Sequence, residues 1–144
     1  MRACYRTVYL LFFAALGCSD ASGPKTTVGQ FVLVDIDGHG VPATAPSGAT
    51  FLDGSIHLDE AGEAVITHRI RWPDGSEITD ITRYKYEISG SRISFVGRCD
   101  VPFGLPCPID PTGEILSNRS VVKVILPPGA APQVYTYQKS VVVD

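Results

Sequence analysis

The sequence is short of the features that mark catalysts and nucleic-acid binders. It has no Gly-x-Ser-x-Gly elbow, no phosphate-binding glycine loop and no His-Glu-x-x-His zinc motif. Its aspartates and histidines stand in turns at spacings that single out no acid and base pair, so catalysis is not expected. Twelve lysines and arginines are scattered against fifteen acidic residues, a net charge of −3. That balance gives no electrostatic footprint for nucleic acid and no polybasic surface for anionic lipid. No stretch sustains an i, i+3, i+4, i+7 apolar pattern, which excludes a helical domain. A membrane-spanning run of about 20 apolar residues is missing too, and the one apolar run near the start, Val8 to Leu16, is too short to cross.

That run has a different reading. Arg2 and Arg6 precede it, and Ala15-Leu16-Gly17-Cys18 ends it with small residues directly before a cysteine. A positive n-region, a short apolar core and a small-residue cut site make a signal peptide. The segment resembles the pattern processed by lipoprotein signal peptidase, with Gly17 in the small position and Ala15 where leucine is commonest. The resemblance implies an exported bacterial protein, cut before Cys18 and anchored to a membrane by acyl chains on that cysteine. The plainer alternative is an ordinary secretory signal with an incidental thiol. Ser19 follows Cys18 and Asp20 comes one later. The missing aspartate directly after the cysteine resembles outer-membrane rather than inner-membrane sorting, facing the periplasm or the cell surface.

Removing residues 1–17 leaves 127 of 144, one domain's worth, and the two arginines lost with them take the charge to −5. Residues 18–28 read as the acylated cysteine and a flexible tether, since Ser19 to Thr27 is small, polar and broken by Gly23-Pro24. Residues 29–144 read as a single all-β domain, with runs of Val, Ile, Thr, Tyr and Phe separated by Gly, Pro, Asn and Asp clusters.

Strands are expected at 28–36, 50–58, 63–72, 78–88, 92–97, 112–117, 120–126 and 133–143, with a short extended piece at 41–44. A bulge is expected near Asp53-Gly54. Alternation is clearest over Glu63 to Trp72, where Ala64, Ile66, His68, Ile70 and Trp72 share one face and Arg69 and Arg71 mark the other as solvent-facing. Across the Pro73-Asp74-Gly75-Ser76 turn, Thr82, Tyr84, Tyr86 and Ile88 oppose Ile81, Arg83, Lys85 and Glu87. The alternation puts Phe31, Leu33, Ile66, Ile70, Tyr84, Tyr86, Ile93, Phe95, Val122, Val124, Tyr135 and Tyr137 inside. A meander of about eight strands can remove its exposed edges by closing into an antiparallel up-and-down barrel.

The opening Gly29-Gln30-Phe31 and the closing Tyr135-x-Tyr137-x-Lys139 resemble the ends of small bacterial lipocalin-like, calycin-type lipoproteins. Lipocalins begin with Gly-x-Trp and set a basic side chain of the last strand over that ring. The resemblance assigns the glycine to Gly29, the aromatic to Phe31 and the cation to Lys139, with phenylalanine for tryptophan and lysine for arginine.

Cys99 and Cys107 bracket a proline-rich loop, and in an oxidising envelope they read as a disulfide rather than a metal or redox site. Asp35-Ile36-Asp37-Gly38-His39-Gly40 has the look of a calcium loop. It fails at the fifth and twelfth positions, which are His39 and Pro46, and reads as a turn. No metal or other cofactor is expected. His57 points outward between Ile56 and Leu58, whereas His68 shares the core face. Should the barrel hold a ligand, His68, Tyr84 and Tyr86 are the polar groups expected to line its site. Two functions remain open: a carrier or sensor holding a small apolar ligand, and a structural or protein-interaction module of the cell envelope with a filled interior.

Overall fold

The computed structural model describes residues 27–97, 110–127 and 133–140. Among them lie ten strands and no α-helix. Eight are long: β1 (Gly29–Ile36), β4 (Thr50–Leu58), β5 (Glu63–Arg71), β6 (Glu77–Ser89), β7 (Arg92–Gly97), β8 (Thr112–Leu116), β9 (Val121–Ile125) and β10 (Val134–Lys139). Two pieces of two residues, β2 (His39–Gly40) and β3 (Ala43–Thr44), decorate the connection from β1 to β4. From β4 onward each strand pairs antiparallel with the next, and β1 pairs with β10 on one side and β4 on the other. The eight long strands therefore form a closed antiparallel barrel, as the even rhythm of the sequence predicts.

The connections are short because each turn has the residues its geometry demands. Between β5 and β6, Gly75 takes φ +86° and donates its N–H to the Trp72 carbonyl at 2.9 Å. Between β8 and β9, Ser117–Arg119 makes one 3-10 turn whose three residues all have positive φ. The chain enters the barrel at Thr27, beside the end that carries the β4–β5, β6–β7 and β8–β9 turns.

Of the twelve residues expected inside, ten are buried, and Tyr84 and Tyr86 are half-buried. Phe51, Ile56, Leu58 and Ile115 join them in the core. Trp72 departs from the expectation: it is 42% exposed, because β5 ends at Arg71 and the Trp72 N–H turns to the Ser76 carbonyl at 2.8 Å. Alternation has no meaning past the last ladder pair. The bulge falls between Phe51 and Asp53, just ahead of the expected Asp53-Gly54.

Burial is uneven around the wall. Phe31, Ile56, Leu58, Ile93, Val122 and Tyr137 are 0% exposed and Phe95 is 1%. The inward face of β6 runs Ile78, Asp80, Thr82, Tyr84, Tyr86, Ile88, and every one of these is half-buried or exposed. Only its second half, Tyr84 to Ser89, pairs with β7, so among the described residues Glu77 to Arg83 pair on one side alone.

Candidate functional site

Three clefts stand out among the described residues. Two, of about 300 and 600 Å3, open at the barrel's rims, the larger lined by Thr27, Val28, Glu60, Tyr86, Ile88 and Arg119. The third, of about 140 Å3, is the one that reaches the interior, between β5, β6, β9 and β10. Its polar lining is His68, Asp80, Thr82, Tyr84, Tyr135 and Tyr137, completed by Ile66, Val124, Leu126 and Pro111.

Register places these groups. His68 of β5 stands opposite Asp80 of β6, and Ile66 opposite Thr82, so an inward His68 brings Asp80 and Thr82 to the same face. Tyr135 and Tyr137 alternate on β10 and reach His68 across the barrel. On the other flank β4 presents Gly54 opposite His68. A Cβ there would sit 2.7 Å from His68 Cδ2, 2.8 Å from the Thr67 carbonyl oxygen and 3.1 Å from Leu33 Cδ2. The glycine is what gives the imidazole its seat.

His68 is 9% exposed, and its Nε2 shares a 2.7 Å hydrogen bond with the buried Tyr137 hydroxyl. Its ring stacks on Tyr135 at 5.0 Å and on Tyr137 at 6.2 Å, and Phe51 meets it edge-on at 5.5 Å. Burial lowers the imidazole pKa to about 4, against a smaller opposing pull from Asp80. Burial also pushes Tyr135 up to about 12 and raises Tyr137 and Tyr84. At neutral pH these groups are all uncharged, so they offer ring faces and hydrogen bonds, and among the described residues the Asp80 carboxylate is the one charge in the lining.

The residues singled out in the sequence are thus divided. His68 and Tyr84 come together, whereas Tyr86 lines the rim cleft at the other end of β6 and donates its hydroxyl to the Asp59 carbonyl at 2.6 Å. The cause is packing: Phe95, opposite Tyr86 and 5.8 Å from the Tyr84 ring, fills the space between them. Asp80 and the two β10 tyrosines were not expected here. Extending the β6 alternation two residues back from Thr82 would have found Asp80.

Gly29, Phe31 and Lys139 meet at the entry end. Phe31 is the ladder partner of Lys139, whose Nζ lies 5.9 Å from the Phe31 ring centroid. Gly29 has φ +128°, and a Cβ on it would lie 3.5 Å from Lys139 Cε. The Asp35–Gly40 segment is a turn whose carboxylates hold the backbone. Asp35 Oδ1 accepts from the Gly38 N–H at 2.9 Å, and Asp37 Oδ1 accepts from the Val134 N–H at 2.7 Å. His57 is exposed. Cys18, Cys99 and Cys107 lie outside the described residues. Comparison of the chain with protein-family models, with curated proteins and with solved structures finds no match in any of the three.

Proposed function

We propose that this chain is an exported bacterial lipoprotein, anchored through acylated Cys18, whose lipocalin-like barrel holds a small molecule and catalyses no reaction. The observation that carries the ligand reading is the interior cleft, where a buried His68–Tyr137 pair meets the partly exposed inner face of β6. Ligand sites combine apolar walls with a few convergent polar groups, and this cleft has both. Its 140 Å3 falls below the usual range of about 300–1,000 Å3, so the occupant is small.

The closed eight-stranded meander and Lys139 over Phe31 support the lipocalin-like reading, although barrels of this kind serve many functions. Arg2, Arg6, the Val8–Leu16 run and Gly17-Cys18 support the anchor and an outer-membrane address. An oxidising compartment goes with a Cys99–Cys107 disulfide.

A second reading, an interaction module with a filled interior, is favoured by the complete burial of Phe31, Ile56, Leu58 and Tyr137. Melting decides between them. Protein released natively from its membrane should melt higher than the same protein after unfolding, dialysis and refolding, because a retained ligand stabilises the folded state. Identical melting would transfer the case to the filled module. The anchor is tested separately: Cys18→Ser should release the domain or leave an unprocessed precursor, and wild-type fractionation of that variant would refute it.

A further inference from the structure

We infer that the interior cleft takes a small organic cation, an amine or quaternary ammonium group, a proposal that rests on the ligand-holding reading above. The lining is an aromatic enclosure around one carboxylate: Tyr84, Tyr135 and Tyr137 with the His68 ring, and Asp80 at the mouth. Among the described residues that line it there is no lysine and no arginine. Asp80 is exposed, and no described side chain forms an ion pair with it. Aromatic faces are electron-rich and attract cations, most strongly where water is partly excluded. A carboxylate beside them adds charge of the same sense.

The surroundings reinforce that field. Among the described residues, the charged side chains that act on Tyr84 and Tyr135 are Asp80, Asp110 and Asp37, all negative. His68 does not neutralise them, since burial keeps its imidazole uncharged down to a pH of about 4. An anion would meet the Asp80 carboxylate, with Asp110 and Asp37 adding to the negative field. Size agrees as well: 140 Å3 holds about four or five waters' worth of volume, enough for a methylated ammonium head with a short stem and too little for an acyl chain.

Choline and its neutral carbon isostere, 3,3-dimethyl-1-butanol, separate charge from shape. Each is titrated at pH 7 into the ligand-stripped, refolded protein while the tyrosine ring signals are followed by NMR. Choline should shift Tyr84 and Tyr135 saturably and bind about tenfold or more tightly than the isostere, as a charge-dependent contact requires. Asp80→Asn should remove that preference and leave binding of the isostere unchanged. Because Asp80 is exposed and unpaired among the described residues, the variant should give the wild-type amide spectrum, and Asp80→Ser serves if it does not. Equal binding of choline and isostere would overturn the cation while leaving the ligand-holding reading intact. No saturable shift with choline would also overturn it, and the melting comparison then decides whether the cleft holds a ligand at all.

Discussion

The wall formed by β10, β1 and β4 and the wall formed by β6 come from the same alternating pattern, yet they end in different states. On the first, the inward Phe31, Ile56, Leu58 and Tyr137 are sealed completely. On the second, the inward residues from Ile78 to Ile88 are all at least partly open to solvent. Among the described residues the two walls also differ in how far each strand is paired. β1 has ladder partners on both sides, β10 and β4. β6 is thirteen residues long and, among the described residues, carries a second partner only over Tyr84 to Ser89. An eight-stranded barrel is just wide enough for its own side chains, so whether space remains depends on which wall stands off. The inner face of β6 is the one left partly open, and the interior cleft and the larger rim cleft both lie against it.

Truncating a sealed ring and a half-open one should give unequal losses. Phe31→Ala and Phe95→Ala should each cost about 3–5 kcal/mol in urea unfolding, as large-to-small changes do in tight cores. Tyr84→Ala should cost about 1–2 kcal/mol, because its ring is already half in water and leaves little new cavity. Equal losses would mean that the walls are packed alike.

Acid should act on the cleft next most strongly. The imidazole of an unfolded chain takes up a proton near pH 6.5, whereas His68 in the fold does so at about 4. Between those values the unfolded state binds more protons, so stability falls as pH drops through the window and levels off below it. Above about pH 7 the group contributes no slope. The loss should reach the order of 3 kcal/mol, and His68→Gln, which cannot titrate there but can still bond Tyr137, should remove it from the stability–pH curve. A slope that survives this substitution would place the acid sensitivity elsewhere.

Gly54→Ala should come third, at about 1–3 kcal/mol, since the added methyl collides with both the Thr67 backbone and the His68 ring. It should also move the His68 ring resonances, a signature that simple destabilisation of β4 would lack. The smallest effect belongs to Lys139→Ala. An exposed lysine 5.9 Å from a ring centroid is worth below about 1 kcal/mol, so a loss as large as that of Phe31→Ala would show the packed wall to be held by charge.

The barrel was legible because charge marks its outer face. Arg69 and Arg71 on β5, and Arg83, Lys85 and Glu87 on β6, leave only one way to orient those strands. Val121 and Ile125 flank the core residues Val122 and Val124 with apolar side chains of their own and come out half-buried, which is why Lys123 alone pointed outward there. Trp72 was misleading because a strand's end is invisible to its alternation. Of the cleft, His68 and Tyr84 could be read, but the partner of His68 could not. Tyr137 is 69 residues away, and the two meet only because the last strand closes on the first. Gly54 reads locally as a bulge signal. Its closest neighbours turn out to be a ring and a carbonyl on the next strand, which no local pattern encodes.

We propose that the partly open inner face of β6 makes room for a ligand. It is tested most directly by native mass spectrometry of protein released from its own membrane, comparing wild type with Thr82→Trp, which carries an indole into the interior cleft. The wild type should retain a small noncovalent adduct that disappears on denaturation, and the folded variant should lack it. A wild type with no adduct, or a variant that carries the same one, would contradict the claim.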